Sequence, residues 1–325
     1  MAQTKEENVT ILILGDLIAD INMRLPKFPV QARDIHRLSY MEVGPGGACN
    51  IAIMAARFGL QVSAVGEVGD DGFGLLVREG LKREKVDVTN LQVTAGARTP
   101  VAGVVVDRAG EPAYLGYAGS LQLRTWPEEW SAVVQKAQAL FADGWAEYIE
   151  TPDLVLRGFE IARQAGVSVF FDPGPGNPDV GNTWMKDAIG LSDVVMLNRS
   201  EARTIVGDRD DLNLIRALQD LGPSWVLLKR GAEGLLLARD SEVAKAQGLA
   251  VEVRDATGAG DSVAGAIIYG VMNELPLESL AVLANATGAA KVMKLGTGHN
   301  MPRLQEIAAV LEANGYRPAD YLPNP

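Results

Sequence analysis

Histidine and cysteine are scarce in this chain, and their scarcity removes several kinds of catalytic site. The 325 residues include two histidines, His36 and His299, and one cysteine, Cys49. So few histidines argue against a zinc cluster or a histidine-based triad, and one cysteine cannot form a disulfide within the chain. We expect Cys49 to pack at the start of a helix rather than to act as a nucleophile. We also interpret four tryptophans as packing residues: Trp126, Trp130, Trp145 and Trp184.

Long apolar runs are missing as well. No stretch approaches the roughly 18 apolar residues that a bilayer-spanning helix needs, and residues 1–9 are polar and charged, unlike a signal peptide. The formal net charge of −11 argues against nucleic-acid binding, because phosphate backbones select basic surfaces. Together with the lack of a disulfide framework, these features predict a cytoplasmic protein that binds neither membranes nor nucleic acid.

Several nucleotide-binding motifs are absent. No G-x-x-x-x-G-K-[ST] occurs, which disfavours a P-loop NTPase, and the protein-kinase signatures are missing too. No G-x-G-x-x-G follows the first predicted strand, which argues against an NAD-dependent oxidoreductase. The glycine-rich stretch at 66–74 follows a strand but has the wrong spacing for a dinucleotide site, so we interpret it as structural.

The apolar pattern of the chain alternates between short continuous runs and helical periodicity. The continuous runs predict buried strands of a parallel sheet at 9–14, 61–65, 139–142, 167–171, 194–197 and 225–228. Predicted helices lie at 48–58, 74–85, 154–164, 201–206, 212–221, 262–272, 281–294 and 304–313. This order predicts an α/β fold with three α/β/α layers and a central, mostly parallel sheet. We treat residues 1–325 as a single domain.

Two segments, at about 18–43 and 98–119, follow strand patterns instead. Residues 99–117 read as a hairpin that turns at 108–111. A small sheet built from the two segments beside a cleft would act as a lid that excludes water, and surface decoration is the alternative. Exposed lid strands could also pair two copies into a homodimer.

The segment 255–262, D-A-T-G-A-G-D-S, carries the strongest chemical signal. Gly258 and Gly260 flank Ala259 just before a buried helix, where backbone N–H groups and the helix dipole form an anion site. Asp261 would lie in or just before the first turn, where a carboxylate can take a proton from an attacking hydroxyl. The alternative is a simple cap and turn.

A second glycine cluster lies at 44–50 and opens the helix predicted from residue 51. Gly46 and Gly47 let a ligand approach the backbone closely, and Asn50 offers donors and an acceptor to a polyol. A helix-start turn without a ligand is the alternative interpretation.

Residues 46–59, with Asn50, Ala52, Ala55, Arg57 and Gly59, and residues 255–262 resemble the N-terminal and C-terminal signatures of the ribokinase-like (PfkB) carbohydrate kinases. The two signatures come in the same order and about 205 residues apart. Ala256 and Val263 depart from the C-terminal signature D-T-x-G-A-G-D-x-F. The resemblance covers essentially the whole chain. It implies a kinase that moves the γ-phosphate of ATP, with Mg²⁺, onto a hydroxyl of a sugar or sugar-derived substrate.

The resemblance also implies the role of each residue. Asp261 matches the base, and Gly258, Ala259 and Gly260 match the anion hole. The substrate-binding positions are Asp20, Gly46, Gly47 and Asn50, with Asp143 near a sugar-contacting acid of some members. The nucleotide side comprises Asn198, Glu201, Lys229, Gly231, Gly234 and Asn285, and Glu201 helps to hold the Mg²⁺ shell through water. Asp172, on a loop after a strand, would reach the phosphates through Mg²⁺ waters or only cap its turn.

Many members also bind K⁺ beside the anion hole. The corresponding positions are Asp255, Thr257, Lys291, Lys294, Gly296 and Asn300, with Lys291 and Lys294 contributing backbone carbonyls only. A lysine ammonium filling that space is the alternative.

The departures from the family pattern concern the substrate. Pro45 stands where a glycine is expected, and Ile18 stands where ribokinase has a polar sugar ligand, which argues against ribose recognition of that kind. A nucleoside kinase of the same family remains open, as does a sugar-binding homologue without turnover.

Overall fold

The computed structural model describes residues 10–26, 29–30, 32–33, 35–121, 123, 125–147, 152–175 and 183–323. Within these residues the strands are β1 Thr10–Leu14, β2 Leu17–Arg24, β3 Tyr40–Gly47, β4 Gln61–Gly69, β5 Leu91–Thr94, β6 Val101–Val106, β7 Pro112–Tyr117, β8 Ala139–Asp143, β9 Ser168–Asp172, β10 Val194–Asn198, β11 Trp225–Lys229, β12 Gly234–Arg239 and β13 Glu242–Gln247. The helices are α1 Ala48–Arg57, α2 Gly72–Arg83, α3 Glu128–Val134, α4 Pro152–Ala165, α5 Thr183–Gly190, α6 Arg199–Val206, α7 Asp211–Gln219, α8 Ala259–Met272, α9 Leu277–Val292 and α10 Leu304–Ala313.

Nine strands form the central sheet in the order β13-β12-β11-β10-β9-β8-β1-β4-β5. Seven neighbouring strands of this sheet pair in parallel: β11, β10, β9, β8, β1, β4 and β5. The strands β12 and β13 add an antiparallel edge. Successive residues of β1 point into two different cores: Ile11 and Ile13 into one, Leu12 and Leu14 into the other. Helices therefore cover both faces of the sheet, which confirms the three-layer α/β prediction.

The six predicted strands of the large sheet are all present, five of them with their bounds shifted or extended by up to four residues. The first predicted strand included Val9, which lies outside the described residues. The hairpin β12–β13, the short strand β5 and the helices α3 and α5 fall outside the predicted elements. Their apolar patterns are short, and a short pattern is hard to recognise beside neighbouring segments with a stronger periodicity.

A separate sheet of four strands, β3-β2-β6-β7, stands apart from the central one. Its strands come from the two segments with strand patterns, and β6 and β7 form the predicted hairpin. The prediction of a small second sheet is confirmed. Positions 27, 28, 31 and 34 of the predicted lid lie outside the described residues.

Two helices begin where the chemistry is expected. α1 begins at Ala48, where the predicted helix 48–58 begins, so Asn50 lies in its first turn. α8 begins at Ala259, directly after Gly258, and Asp261 lies in its first turn as predicted. No helix of the described ranges is long and apolar enough to cross a bilayer.

Candidate active site

Polar side chains collect where the parallel strands of the central sheet end. Because the carboxyl ends of parallel strands meet at one edge, residues distant in sequence become neighbours there. In register, Asp143 of β8 stands opposite Asp172 of β9, and Asn198 of β10 stands opposite Lys229 of β11. Asp16 follows β1 by two residues. This edge carries most of the predicted site.

The predicted anion hole lies in the turn that leads into α8. Gly258 is left-handed, with φ of 75°, and is the residue before the first helical one. Asp255 is buried and holds the turn through both carboxylate oxygens, which accept the amides of Thr257 at 2.8 Å and Gly296 at 2.7 Å. The Ala259 amide donates to the carbonyl of Ala256 at 3.2 Å. Its predicted share in anion binding is therefore weaker than that of the two glycines.

Asp261 is partly exposed in the first turn of α8. Asn50 Nδ2 donates to its Oδ2 at 2.8 Å, and Asn50 Oδ1 accepts the amide of Gly298 at 2.8 Å. Enclosure by protein raises the pKa of Asp261 to about 6, against the lowering effect of the Asn50 hydrogen bond. The Asn50 side chain therefore contacts the predicted base directly, and its contact with a polyol stays a prediction.

The glycine pair Gly46-Gly47 is required by two close approaches. A β-carbon at position 46 would overlap the carboxylate of Asp20, and one at position 47 would overlap the carbonyl oxygen of Asp16. Gly47 also has a φ of +55°, which side chains rarely adopt. The two glycines thus let β3 lie directly against Asp20, the predicted substrate carboxylate.

Asp20 is buried and tied to the C-terminal part of the chain. Thr297 Oγ1 donates to Asp20 Oδ2 at 2.6 Å, and Asn22 Nδ2 donates to Thr297 Oγ1 at 2.9 Å. Burial raises the pKa of Asp20 to about 7, although the Thr297 hydrogen bond lowers it and Asp261 raises it further. The Asn22–Thr297–Asp20 chain links strand β2 of the second sheet to the loop that also supports Asp255.

Two further carboxyl groups lie beside these residues. Burial raises the pKa of Asp143 to about 8, and it also raises the pKa of Asp16 well above its usual value. Asp143 Oδ1 accepts the amide of Trp145 at 3.1 Å. Asp16 Oδ1 has no hydrogen-bond partner among the described residues. Asp16 is absent from the predicted site, although its place after the first strand was a usable signal.

Lys229, Asp172 and Glu201 form a cluster on the predicted nucleotide side. Lys229 Nζ and Asp172 Oδ2 form an ion pair at 2.7 Å, and Asp172 Oδ1 also accepts the amide of Gly174 at 3.2 Å. Burial raises the pKa of Glu201, whereas the nearby Lys229 lowers it. Burial lowers the pKa of Lys229, but Asp172 and Glu201 outweigh burial and the net pKa is raised.

The N-x-x-E element forms a capping box at the start of α6. Asn198 accepts the Glu201 amide at 3.0 Å, and Glu201 Oε2 accepts the Asn198 amide at 2.6 Å. The box fixes the Glu201 carboxylate beside Lys229 and leaves its second oxygen for other partners. No group of three or more metal-ligating side chains occurs within the described ranges, so a metal here would need ligands from elsewhere.

Other predicted nucleotide residues have structural contacts instead of contacts to this cluster. Asn285 Nδ2 donates to the carbonyl of Gln247 at 2.7 Å, which fastens α9 to the end of β13. Gly231 and Gly234 have φ values of +58° and +87° in the turn between β11 and β12. A β-carbon at Gly234 would overlap the carbonyl oxygen of Ala246.

Two aromatic rings also meet near the site. Tyr114 of β7 and Trp145, which follows Asp143, have ring centroids 6.1 Å apart. Tyr114 is half exposed, and its pKa is raised by burial and by the charges of Asp261 and Asp20. The second sheet therefore extends over the site. The interpretation of Trp145 as a packing residue misses this pairing.

The positions implied for K⁺ are arranged around Lys291. Its Nζ lies 3.4 Å from the carbonyl oxygen of Lys294. Lys294 Nζ pairs with Glu306 Oε2 at 2.7 Å. Asn300 Nδ2 donates to Tyr40 Oη at 3.1 Å and to Glu42 Oε2 at 2.5 Å. The amide nitrogen of Asn300 is thus committed to strand β3.

The chain is similar to known proteins over nearly its full length. Residues 9–304 match the pfkB family carbohydrate kinase profile. A ribokinase of Haemophilus influenzae is 25% identical, with 93% of this chain and 98% of the relative covered. A nucleoside kinase of Methanothermobacter thermautotrophicus is 27% identical, with 96% and 99% covered. The Arabidopsis thaliana ribokinase complexed with ribose and ATP has a TM-score of 0.78 at 21% identity, covering 94% of this chain and 99% of that one. This chain therefore belongs to the pfkB family of carbohydrate kinases.

Proposed function

We propose that this kinase transfers the γ-phosphate of ATP to a hydroxyl group of a sugar or sugar-derived substrate. One observation carries the proposal: the Asp261 carboxylate is held by Asn50 at 2.8 Å in the first turn of α8, three residues after the left-handed Gly258. A fixed carboxylate beside a set of helix-terminal amides suits the deprotonation of an alcohol next to a triphosphate.

Asp261 acts as the general base. With a pKa of about 6, it is mostly ionised at neutral pH and is a stronger base than an ordinary aspartate. The hydroxyl it deprotonates attacks the γ-phosphorus in line. The amides of Gly258 and Gly260 lie before and within the first turn of α8, where amides lack helical acceptors, and they stabilise the charge on the phosphoryl oxygens.

ATP lies along the Lys229 side of the sheet edge. The Lys229 ammonium lies beside the turn, since a β-carbon on Gly260 would come within 3.3 Å of its Nζ. When phosphates arrive, Lys229 exchanges part of its pairing with Asp172 for the phosphate oxygens. The matched Arabidopsis relative was solved with ATP, which supports the same nucleotide here.

Mg²⁺ fits the carboxylates on this side. Mg²⁺ prefers oxygen ligands, keeps several waters and usually binds through one or two carboxylates plus substrate phosphates. Glu201 and Asp172 are the two carboxylates beside Lys229 and would hold the hydrated ion. The ion supplies charge neutralisation at the phosphates when it is bound.

The acceptor lies between the two sheets. Asp20 and Asp143, together with the backbone at Gly46 and Gly47, bind its hydroxyl groups. The second sheet, from residues 18–43 and 98–119, acts as the lid and excludes water during transfer. Tyr114 on β7 supplies a ring and a hydroxyl that approach the site from the lid.

The outer edge of the lid supports a homodimer. β7 pairs with β6 on one side only within the described residues, and Leu115 and Tyr117 on it are exposed. Strand pairing between two copies would cover this edge. Light scattering at micromolar concentration tests the assembly, and a monomer mass would contradict it.

A nucleoside kinase is the second candidate. Tyr114 and Trp145 bring two aromatic rings together beside the site, tilted by 53° to each other, and a base can stack on the face of either ring; one relative is a nucleoside kinase. If a nucleoside is the substrate, substitution of Trp145 by leucine should weaken the binding of the nucleoside more than the binding of a free sugar.

A coupled assay of ADP release tests both candidates. The panel contains free pentoses, free hexoses and purine and pyrimidine nucleosides, each with MgATP. Turnover with a free sugar supports the first candidate, and turnover with nucleosides alone supports the second. Thermal stabilisation by one of these compounds without ADP release from any would instead indicate a sugar-binding homologue without turnover.

A further inference from the structure

Lys291 is a lysine buried beneath the anion-binding turn. It lies in the last turn of α9, and its exposed fraction is 0%. A β-carbon on Gly258 would come within 3.3 Å of Lys291 Cε, so the end of this side chain lies against the turn itself. An ammonium in such a position is unusual, because lysine is rarely buried without a partner.

The charge of Lys291 is balanced at a distance. Within the described part of the chain, no carboxylate forms an ion pair with it, and its Nζ donates to the Lys294 carbonyl at 3.4 Å. Burial lowers its pKa to about 8, while Asp255 and Asp261 act in the opposite direction. The two acids that stabilise the ammonium are thus the acid that supports the turn and the proposed base.

Two of the positions that the family resemblance implies for potassium are engaged in other contacts. The Lys294 carbonyl, one of the implied ligands, already faces an ammonium. The Asn300 side chain points its amide at Tyr40 and Glu42. A second monovalent cation in this space would be repelled by the ammonium at short range.

We propose that the Lys291 ammonium takes the place of a monovalent cation beneath the Gly258–Gly260 turn, so that the kinase works without potassium. The inference rests on the proposed phosphoryl transfer. In that reaction, a fixed positive charge behind the turn favours the negative charge that gathers on the phosphoryl oxygens. Lys291 acts through the turn and is a positioning residue rather than a group that touches substrate.

The first test uses the unmodified protein. Turnover is measured in KCl, NaCl and tetramethylammonium chloride at equal ionic strength, and the thermal midpoint is recorded in the same salts. We expect rates that agree within about two-fold and no potassium-specific rise in the midpoint. A rise in rate of about ten-fold or more with potassium over tetramethylammonium would overturn the proposal.

The second test removes the ammonium. Lys291→Ala opens a space beside the turn, and we expect its turnover in tetramethylammonium to fall by about 10²-fold. Potassium or ammonium ions should raise the turnover of this variant by at least about ten-fold. They should also raise its thermal midpoint, but not that of the unmodified protein. Lys291→Met fills the space without charge and should stay slow in every salt.

The matched control is Lys186→Met, which removes an exposed lysine on α5. It should behave like the unmodified protein in all salts. Wild-type turnover of Lys291→Ala in tetramethylammonium would overturn the proposal. If the variant fails to fold, the salt series on the unmodified protein still decides. Absence of turnover with every acceptor in every salt would refute the proposed function instead. The thermal midpoint, measured with and without potassium, would still show whether the protein binds this ion.

Discussion

Replacing Asp20 by asparagine should stabilise the protein at alkaline pH more than at acidic pH. Asp20 is 4% exposed, and its pKa is about 7 in the folded protein, against about 3.9 in an unfolded chain. Asparagine has the same shape, and its oxygen can still accept the Thr297 hydroxyl that now donates at 2.6 Å. The substitution therefore removes mainly the ionisation.

The sign of the effect follows from the raised pKa. The folded protein binds this proton more tightly than the unfolded chain does, so Asp20 favours folding fully below about pH 4, and this contribution is lost as pH rises through about 7. One unit of pKa corresponds to about 1.4 kcal/mol. Between pH 5 and pH 8, the free energy of unfolding of Asp20→Asn should therefore rise relative to the unmodified protein by about 1–3 kcal/mol.

Urea unfolding of both proteins at pH 5 and pH 8 measures this difference. Asp187→Asn, an exposed aspartate on α5, is the control and should show no comparable change. A difference between Asp20→Asn and the unmodified protein that is equal at the two pH values, within about 0.5 kcal/mol, would refute the assignment of Asp20 as a buried carboxyl group with a raised pKa.

Three further substitutions test the site. Asn50→Asp replaces the donor to Asp261 with a second carboxylate. The acidic limb of the kcat/KM profile is expected near pH 6 in the unmodified protein, and in this variant it should move up by about one pH unit or more. An unmoved limb would contradict the contact. Gly46→Ala places a methyl group on the Asp20 carboxylate, so the KM for the acceptor should rise by about ten-fold or more with a smaller effect on ATP; an equal effect on both would count against a substrate role. Lys229→Met should raise the KM for ATP by about ten-fold or more and leave acceptor affinity nearly unchanged, and an unaltered KM for ATP would show that the lysine does not bind phosphate.

The local parts of the site could be predicted from the sequence. Gly258 and Asp261 are three residues apart at a helix start, and helix starts are determined by nearby residues. The ends of parallel strands meet at one edge, so the grouping of Asp143 and Lys229 follows once the strands are recognised. The fold class follows from the same alternation of strands and helices.

The contacts between distant segments could not be predicted. Thr297 meets Asp20 across 277 positions of sequence, and no local pattern encodes that pairing. The task of Asn50 depends on where α8 lies relative to α1, and the Tyr114–Trp145 pair depends on how the second sheet sits over the first. A single sequence shows which residues are polar, but packing decides which of them meet.

Lys291 illustrates the same limit. Its place near the end of a helix is visible in the sequence, and so is the possibility that an ammonium fills the expected cation site. The direction of its side chain, toward Gly258 and the Lys294 carbonyl, emerges only from the packing of α9 against α8.

The central claim is that the Asp261 carboxylate takes the proton from the acceptor hydroxyl. The most direct measurement is single-turnover phosphoryl transfer by Asp261→Asn, with ATP affinity measured separately by equilibrium binding. We expect Asp261→Asn to have near-normal ATP affinity and a rate of phosphoryl transfer lowered by about 10²–10⁴-fold. Transfer at the rate of the unmodified protein would contradict it.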